Sequence, residues 1–317
     1  MQHNFITMAS LTLNICSSVG VIFINKRLVF KDAGFNFATV LTIIHFVVTF
    51  VGCLGFAKAA FFEIKPVELK RVLPIAIAFC GYVAFNNLSL LTNSVSVYQI
   101  SKIMCTPVIV SVEHFYYNHQ QNKETMLSLI PTCLGIFITV YTDSDVNLIG
   151  SFWAVLAIIS NSFYTIWGKT KQTELGVSPM QLLTYQAPLS AAMLLPMVPF
   201  MDNWKHLSEF HMTSTAAGYI LLSCVFAFGV NFSFFLGVGQ TSPLTMNVVG
   251  YVKTCLVFVG GFMFFDTPMT VQNTFGIVLT MLGVALYSKA KMPKVDRSKE
   301  TEGGSDGDRS PKGAERV

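Results

Sequence analysis

The chain has 317 residues, of which 52% are hydrophobic and only 12% charged, about half the charged share of a soluble domain. The formal net charge is +4, and the charges are unevenly spread: residues 1–289 carry 25 of them and residues 290–317 carry 13. These figures exclude a water-soluble enzyme of ordinary composition and predict an all-α polytopic membrane protein with a solvated tail.

A membrane span needs about 20 largely apolar residues. Ten such segments follow one another, at 6–26, 36–57, 72–91, 94–117, 125–142, 147–168, 178–200, 214–237, 242–265 and 269–288. The first runs apolar from Phe5 to Ile24 with no early cleavage site, so it is expected to stay in the membrane. Thr92–Asn93 is a tight hairpin, Asp143-Ser144-Asp145 divides the fifth span from the sixth, and Pro243 suits the first turn of the ninth. From Met292 the chain has no aromatic residues and almost no aliphatic ones, a composition that cannot bury enough surface to fold. The seven cysteines all lie in apolar stretches and are expected as buried free thiols. The Asn-x-Ser sequons at Asn87 and Asn231 also fall in spans and should escape glycosylation.

With the N-terminus in the cytosol, the cytosolic loops before the tail hold seven Lys/Arg and the lumenal loops four. That bias places both termini in the cytosol. These basic residues flank helices rather than forming one patch, so no nucleic-acid partner is expected. Asn93-Ser94-Val95-Ser96 leading to Lys102 matches, in position, Thr241-Ser242-Pro243-Leu244-Thr245 leading to Lys253, and each follows a span with Asn-x-Ser. Five spans per half is an odd number, so such a repeat must sit inverted in the membrane, as in many transporters. The expected organisation is a first five-helix repeat at 1–145, a second at 146–289 and a disordered cytosolic tail at 290–317.

Lys102 and Lys253 lie eight and eleven residues into their spans, about 12–17 Å deep at ~1.5 Å per residue. A lysine at that depth costs roughly 2.5–3.5 kcal/mol, and its stem is too short to snorkel out. Aspartates sit at span ends, and Glu113 is about 16 Å along the axis from Lys102. Two midplane cations therefore point to an anionic ligand, and lysine binds phosphate well as a point charge. Tyr98 and Thr106 share the face of Lys102, Gly250 leaves room one turn before Lys253, and Thr254 adds a hydroxyl. Thr184-Tyr185-Gln186 is a polar cluster that needs partners, either a ligand or another helix. Asn25 and Lys26 close the first span, as a lumenal gate or an interfacial anchor, and His45 reads as a hydrogen-bonded bundle residue. No enzyme signature, cofactor motif or metal-ligand spacing is present.

The two lysine segments, together with Asn25-Lys26, Leu41–Phe46, Thr184–Pro188 and Leu279–Tyr287, resemble the triose-phosphate/nucleotide-sugar transporter family of the drug/metabolite-transporter superfamily. The resemblance implies ten helices, a central site open alternately to each side, and exchange of a nucleotide sugar for a nucleoside monophosphate. It implies that Lys102 and Lys253 hold the phosphate groups, with Tyr98, Tyr185, Gln186, Gly250 and Thr254 as further substrate-binding residues. Chloroplast triose-phosphate exchangers carry arginine after the second lysine, where this chain has Thr254. It is similar there to the Lys-Thr branch, which includes plant UDP-xylose carriers and solute carrier 35 proteins. GDP-mannose carriers carry F-Y-N-N where this chain has Thr184–Ala187. A UDP-sugar, UDP-xylose first, is thus the expected substrate, in the Golgi or else the endoplasmic reticulum membrane. A carrier of a small phosphorylated metabolite and a non-transporting membrane scaffold stand as alternatives.

Overall fold

The computed structural model describes residues 2–92, 95–140, 147–265 and 271–291. Among them there is no β-strand, and ten helices of 16 residues or more account for most of the chain. They are α1 (Gln2–Ile24), α2 (Ala38–Lys58), α3 (Leu69–Thr92), α4 (Val95–Phe115), α5 (Lys123–Val140), α6 (Leu148–Leu175), α7 (Pro179–Leu194), α8 (Ser214–Gln240), α9 (Pro243–Phe265) and α10 (Val271–Lys291). Among the described residues, five segments are long and apolar enough to cross a membrane: Phe5–Asp32, Ala38–Lys58, Leu69–Ser89, Leu148–Leu175 and Ser214–Gln240. Shorter apolar stretches occupy Met104–Phe115 and Thr274–Ala290. The tail and Asp143-Ser144-Asp145 lie outside the described residues, as does Asn93 of the expected hairpin.

Local sequence chemistry sets the helix ends. The Asn147 side chain accepts from the amides of Ile149 (2.9 Å) and Gly150 (3.3 Å), capping α6. Gly176 ends that helix at φ 57°, where a side chain is disfavoured. Two residues on, Ser178 and Gln181 form a reciprocal capping box around Pro179 to start α7. Helix α2 takes its cap from a distant residue: Asp202 accepts from the backbone amides of Thr39 (3.2 Å) and Val40 (2.8 Å). That carboxylate suits the positive end of a helix.

Several boundaries differ from the sequence reading: α6 runs on to Leu175 rather than ending at 168, and α7 stops at Leu194 rather than at 200. The first helix does not stop at Lys26 but continues through π-helical turns over Asn25–Asp32. The Asn25 side chain there accepts a short hydrogen bond from Ser223 of α8, whose hydroxyl also meets His45 Nε2 of α2 at 2.8 Å. This tie between three elements gives the wider turns a packing reason. It also makes His45 the bundle residue expected. Just beyond, Phe35, Phe37 and Phe210 pack edge to face with ring centroids 5.1–5.9 Å apart.

The seven cysteines are all free, and five are buried. Cys16 is exposed and Cys133 half-buried, so the expectation of wholly buried thiols fails at two positions.

The principal helix pairings are α5 with α10, α3 with α6, α1 with α8 and α2 with α7. Smaller ones join α4 to α6, α3 to α7, α2 to α8, α1 to α9, α4 to α5 and α9 to α10. Exchanging each helix with the one five places away maps these pairings onto one another, α1–α8 becoming α6–α3 and α1–α9 becoming α6–α4, whereas α8 also packs on α6 and α7 without a comparable counterpart among the described residues. The α5–α10 crossing repeats this exchange in atomic detail. A Cβ added to Gly135 would stand 2.4 Å from the Thr280 amide, and one added to Gly283 would stand 2.4 Å from the Thr132 amide. Both threonines are fully buried and bond back to the carbonyl four residues earlier, Thr132 to Ser128 (3.1 Å) and Thr280 to Gly276 (2.8 Å). Small residues that let backbones approach are the usual basis of close helix packing in lipid.

Candidate functional site

A cavity of about 340 Å³ lies among α1, α3, α6, α8 and α9, within the range of small-molecule sites. Helix α9 contributes most of its polar wall. Asn247, Gly250, Lys253 and Thr254 recur at turn spacing along one face, and all line the cavity. Nothing lies within 4 Å of a Cβ built on Gly250, so this glycine leaves open space beside the lysine, as expected. The Thr254 hydroxyl bonds back to the Gly250 carbonyl at 3.0 Å.

Lys253 is half-buried, about halfway along α9. Its Nζ donates to Asn14 Oδ1 at 3.0 Å and lies 3.5 Å from Ser18 Oγ, both on α1. The amide and the hydroxyl satisfy the ammonium without carrying charge. Asn14 is itself fixed: Nδ2 donates to Ser233 Oγ (3.0 Å) and the Val230 carbonyl (3.3 Å) of α8. A carbonyl can only accept, so Nδ2 must face α8 and Oδ1 must face the lysine.

Helices α4 and α9 are joined next to the cavity by a second polar group. Asn247 Nδ2 donates to Thr106 Oγ1 (2.6 Å) and to Tyr251 Oη (3.2 Å), while Thr106 and Tyr251 share a short hydrogen bond of their own. Asn161 and Thr165 of α6 complete the polar lining, and Tyr82 and Phe234 supply aromatic walls.

The expected site residues divide three ways. Lys253, Thr254 and Gly250 come together at the cavity. Lys102 and Tyr98 belong to helix α4, but their side chains lie outside the described residues. Tyr185 and Gln186 do not line this cavity. The Tyr185 hydroxyl donates to the Lys65 carbonyl (2.8 Å), and Gln186 is fully buried with Nε2 on Ser190 Oγ (2.7 Å). The reason is packing: α7 runs between α2 and α3, so its polar residues meet those helices and the loop joining them. Asn25 enters the π-turn network described above, with Lys26 beside it in the same turns. Glu113 is buried and accepts from Gln121 Nε2 at 2.9 Å, near the end of α4. Asn14, Ser18, Asn161, Asn247 and Tyr251 were missed in the sequence. One signal was available for the first three: Asn14-Ile-Cys-Ser-Ser18 and Asn161-Ser-Phe-Tyr-Thr165 share an amide and a hydroxyl at four-residue spacing.

Comparison with known proteins agrees with this helical architecture. The model of the Triose-phosphate Transporter family matches residues 8–288. The chain belongs to that family. UDP-xylose transporter 1 of Arabidopsis thaliana is 36% identical over 284 residues, covering 89% of this chain and 83% of the relative. UDP-rhamnose/UDP-galactose transporter 2 of the same plant is 35% identical over 293 residues, covering 90% and 84%. A solved crystal structure only 12% identical superposes with a TM-score of 0.71 over 91% of this chain and 98% of its own, a likeness of fold alone. As a member of the Triose-phosphate Transporter family, the chain is a multi-pass membrane protein whose relatives are transporters.

Proposed function

We propose that this family member is a nucleotide-sugar transporter that exchanges a cytosolic UDP-sugar, UDP-xylose first, for lumenal UMP across the Golgi membrane. The observation that carries this reading is the Lys253 ammonium, seated on uncharged groups and lining the central cavity. A charge at that depth costs roughly 2.5–3.5 kcal/mol, and a ligand phosphate offsets it. The names of the relatives supply the ligand class. Lys102 of α4 is assigned the same role, and the walls of Tyr82 and Phe234 suit the flat face of a base or sugar.

The architecture we assign is ten transmembrane helices in two inverted repeats, 1–145 and 146–289, with both termini cytosolic. The symmetry of the helix pairings and the reciprocal Thr–Gly crossing of α5 and α10 support it. Alternating access is then a rocking of the halves about the cavity. A ligand-free carrier must pass through its occluded state without the phosphate that Lys253 would meet in the loaded one, at a cost that a bound nucleotide removes. UMP therefore has to replace the departing sugar nucleotide before the return step.

Purified protein in liposomes preloaded with UMP tests the reading against labelled UDP-, GDP- and CMP-sugars. UDP-xylose uptake that requires internal UMP is the expected result, and uptake of none of the panel would overturn it. Topology has its own test. In sealed Golgi vesicles, added protease should remove a C-terminal epitope without detergent, and protection of the epitope would reverse the orientation.

A further inference from the structure

Lys253 is held by a built seat rather than by chance proximity. Ser233 of α8 is fully buried, and its hydroxyl donates to the carbonyls of Gly229 (2.5 Å) and Val230 (3.2 Å). A lone pair is left to accept from Asn14 Nδ2 at 3.0 Å. Asn14 Oδ1 then accepts from Lys253 at 3.0 Å, with Ser18 Oγ at 3.5 Å. The chain of bonds runs from α8 through α1 to α9 and fixes each group's orientation in turn. It ends on a cation facing the cavity.

The same pair of residue types occurs on α6. Asn161 and Thr165 follow Asn14 and Ser18 by the same number of residues, and both line the cavity, as Ser18 does. Asn161 Nδ2 donates to Cys105 Sγ of α4 at 3.3 Å, which leaves its Oδ1 as an acceptor. Helix α6 packs on α4 as α1 packs on α9. Cys105 stands 148 residues before Lys253, the offset that relates Gly135 to Gly283, so the α6 pair meets a thiol where the α1 pair meets the lysine.

We propose that Asn14 and Ser18 are positioning residues that hold Lys253, a phosphate-binding lysine of the other half. A neutral seat serves this purpose better than a carboxylate. An aspartate at Asn14 would neutralise the ammonium and compete with the ligand phosphate, whereas an amide orients it and releases it at low cost. The seat lies in one half and its lysine in the other, so a phosphate contact of Lys253 also bridges the two halves.

The proposal rests on the nucleotide-sugar reading, and its test separates the two. Thermal stabilisation of the detergent-purified protein is measured with UMP and with uridine, which has the base and ribose but no phosphate. Asn14→Ala is expected to weaken UMP binding about tenfold, the scale of one lost charge-assisted hydrogen bond, and to leave uridine binding within about twofold. A merely structural role would weaken both ligands together, and that result, or unchanged UMP binding in folded variants, overturns the proposal. Should Asn14→Ala fail to fold, Ser233→Ala removes the shorter of the two bonds that orient Asn14 and leaves the one to the Val230 carbonyl. About threefold weaker UMP with unchanged uridine supports the seat, and unchanged UMP overturns it. Wild-type protein stabilised by neither ligand would overturn the nucleotide reading itself and this proposal with it.

Discussion

Lys253→Ala is expected to abolish exchange of nucleotide sugar for UMP in proteoliposomes while the protein still inserts and purifies intact. In the proposed mechanism the ammonium meets the ligand phosphate in the cavity, where losing one partner of a desolvated charge pair costs about 2–5 kcal/mol. That corresponds to roughly thirty- to several-thousand-fold in affinity, enough to take uptake near the wild-type KM below detection. Folding should survive for two reasons. Asn14 keeps its bonds to Val230 and Ser233 without the lysine, and removing a midplane cation removes its roughly 2.5–3.5 kcal/mol insertion cost. Lys253→Arg should also impair exchange, because a planar fork does not replace a compact ammonium on the Asn14–Ser18 seat. Initial rates and apparent melting temperature, measured on the same preparations, check both variants. Exchange within a few-fold of wild type in well-folded Lys253→Ala protein would remove the phosphate-clamp mechanism.

The second large effect concerns stability rather than transport. Gly135→Leu or Gly283→Leu should each sharply lower the apparent melting temperature. A Cβ at Gly283 would stand 2.4 Å from the Thr132 amide and 2.8 Å from its Cα. At Gly135 it would meet the Thr280 amide at 2.4 Å and the Gly276 carbonyl at 2.6 Å. These are backbone atoms, so the helices must part rather than repack. The resulting loss is about 3 kcal/mol or more, a fall of roughly 6–12 °C at ~2–4 °C per kcal/mol. Gly55→Leu is the control, since nothing lies within 4 Å of a Cβ there. Equal melting temperatures for Gly283→Leu and Gly55→Leu would show that the two helices do not cross this closely.

Helix positions were legible in the sequence because apolar length and polar punctuation report them directly. Pro243 and the Ser178–Gln181 pair mark starts, and Gly176 marks an end. The end of the first helix was not legible, because its extension to Asp32 depends on a tertiary partner, Ser223, far along the chain. Lys253 stood out because charge at mid-span is costly. Asn14 did not, because a lone amide in an apolar helix is equally at home in interhelical packing, and only its geometry shows which lysine it serves. Tyr185 and Gln186 show the converse. Their polarity was visible, but the side of α7 they occupy follows from how α2 and α3 enclose it, and sequence spacing within one helix does not contain that.

The α5–α10 crossing bears on how such a chain arises. Thr132 of one helix receives Gly283 of the other, and Thr280 receives Gly135, so the contact has the reciprocity of an isologous interface folded into one polypeptide. A five-helix segment with this Thr-x-x-Gly face presents a surface that fits a second copy of itself. A free-standing half would therefore be a membrane dimer in need of no new interface, and gene fusion would add only the link between its two subunits. Once linked, each copy would be free to diverge: α1 carries Asn14 and Ser18 where α6 carries Asn161 and Thr165, and the first pair meets a lysine where the second meets Cys105. An asymmetric ligand with phosphate at one end and a base at the other would then suit two halves that are alike in frame and unlike in lining.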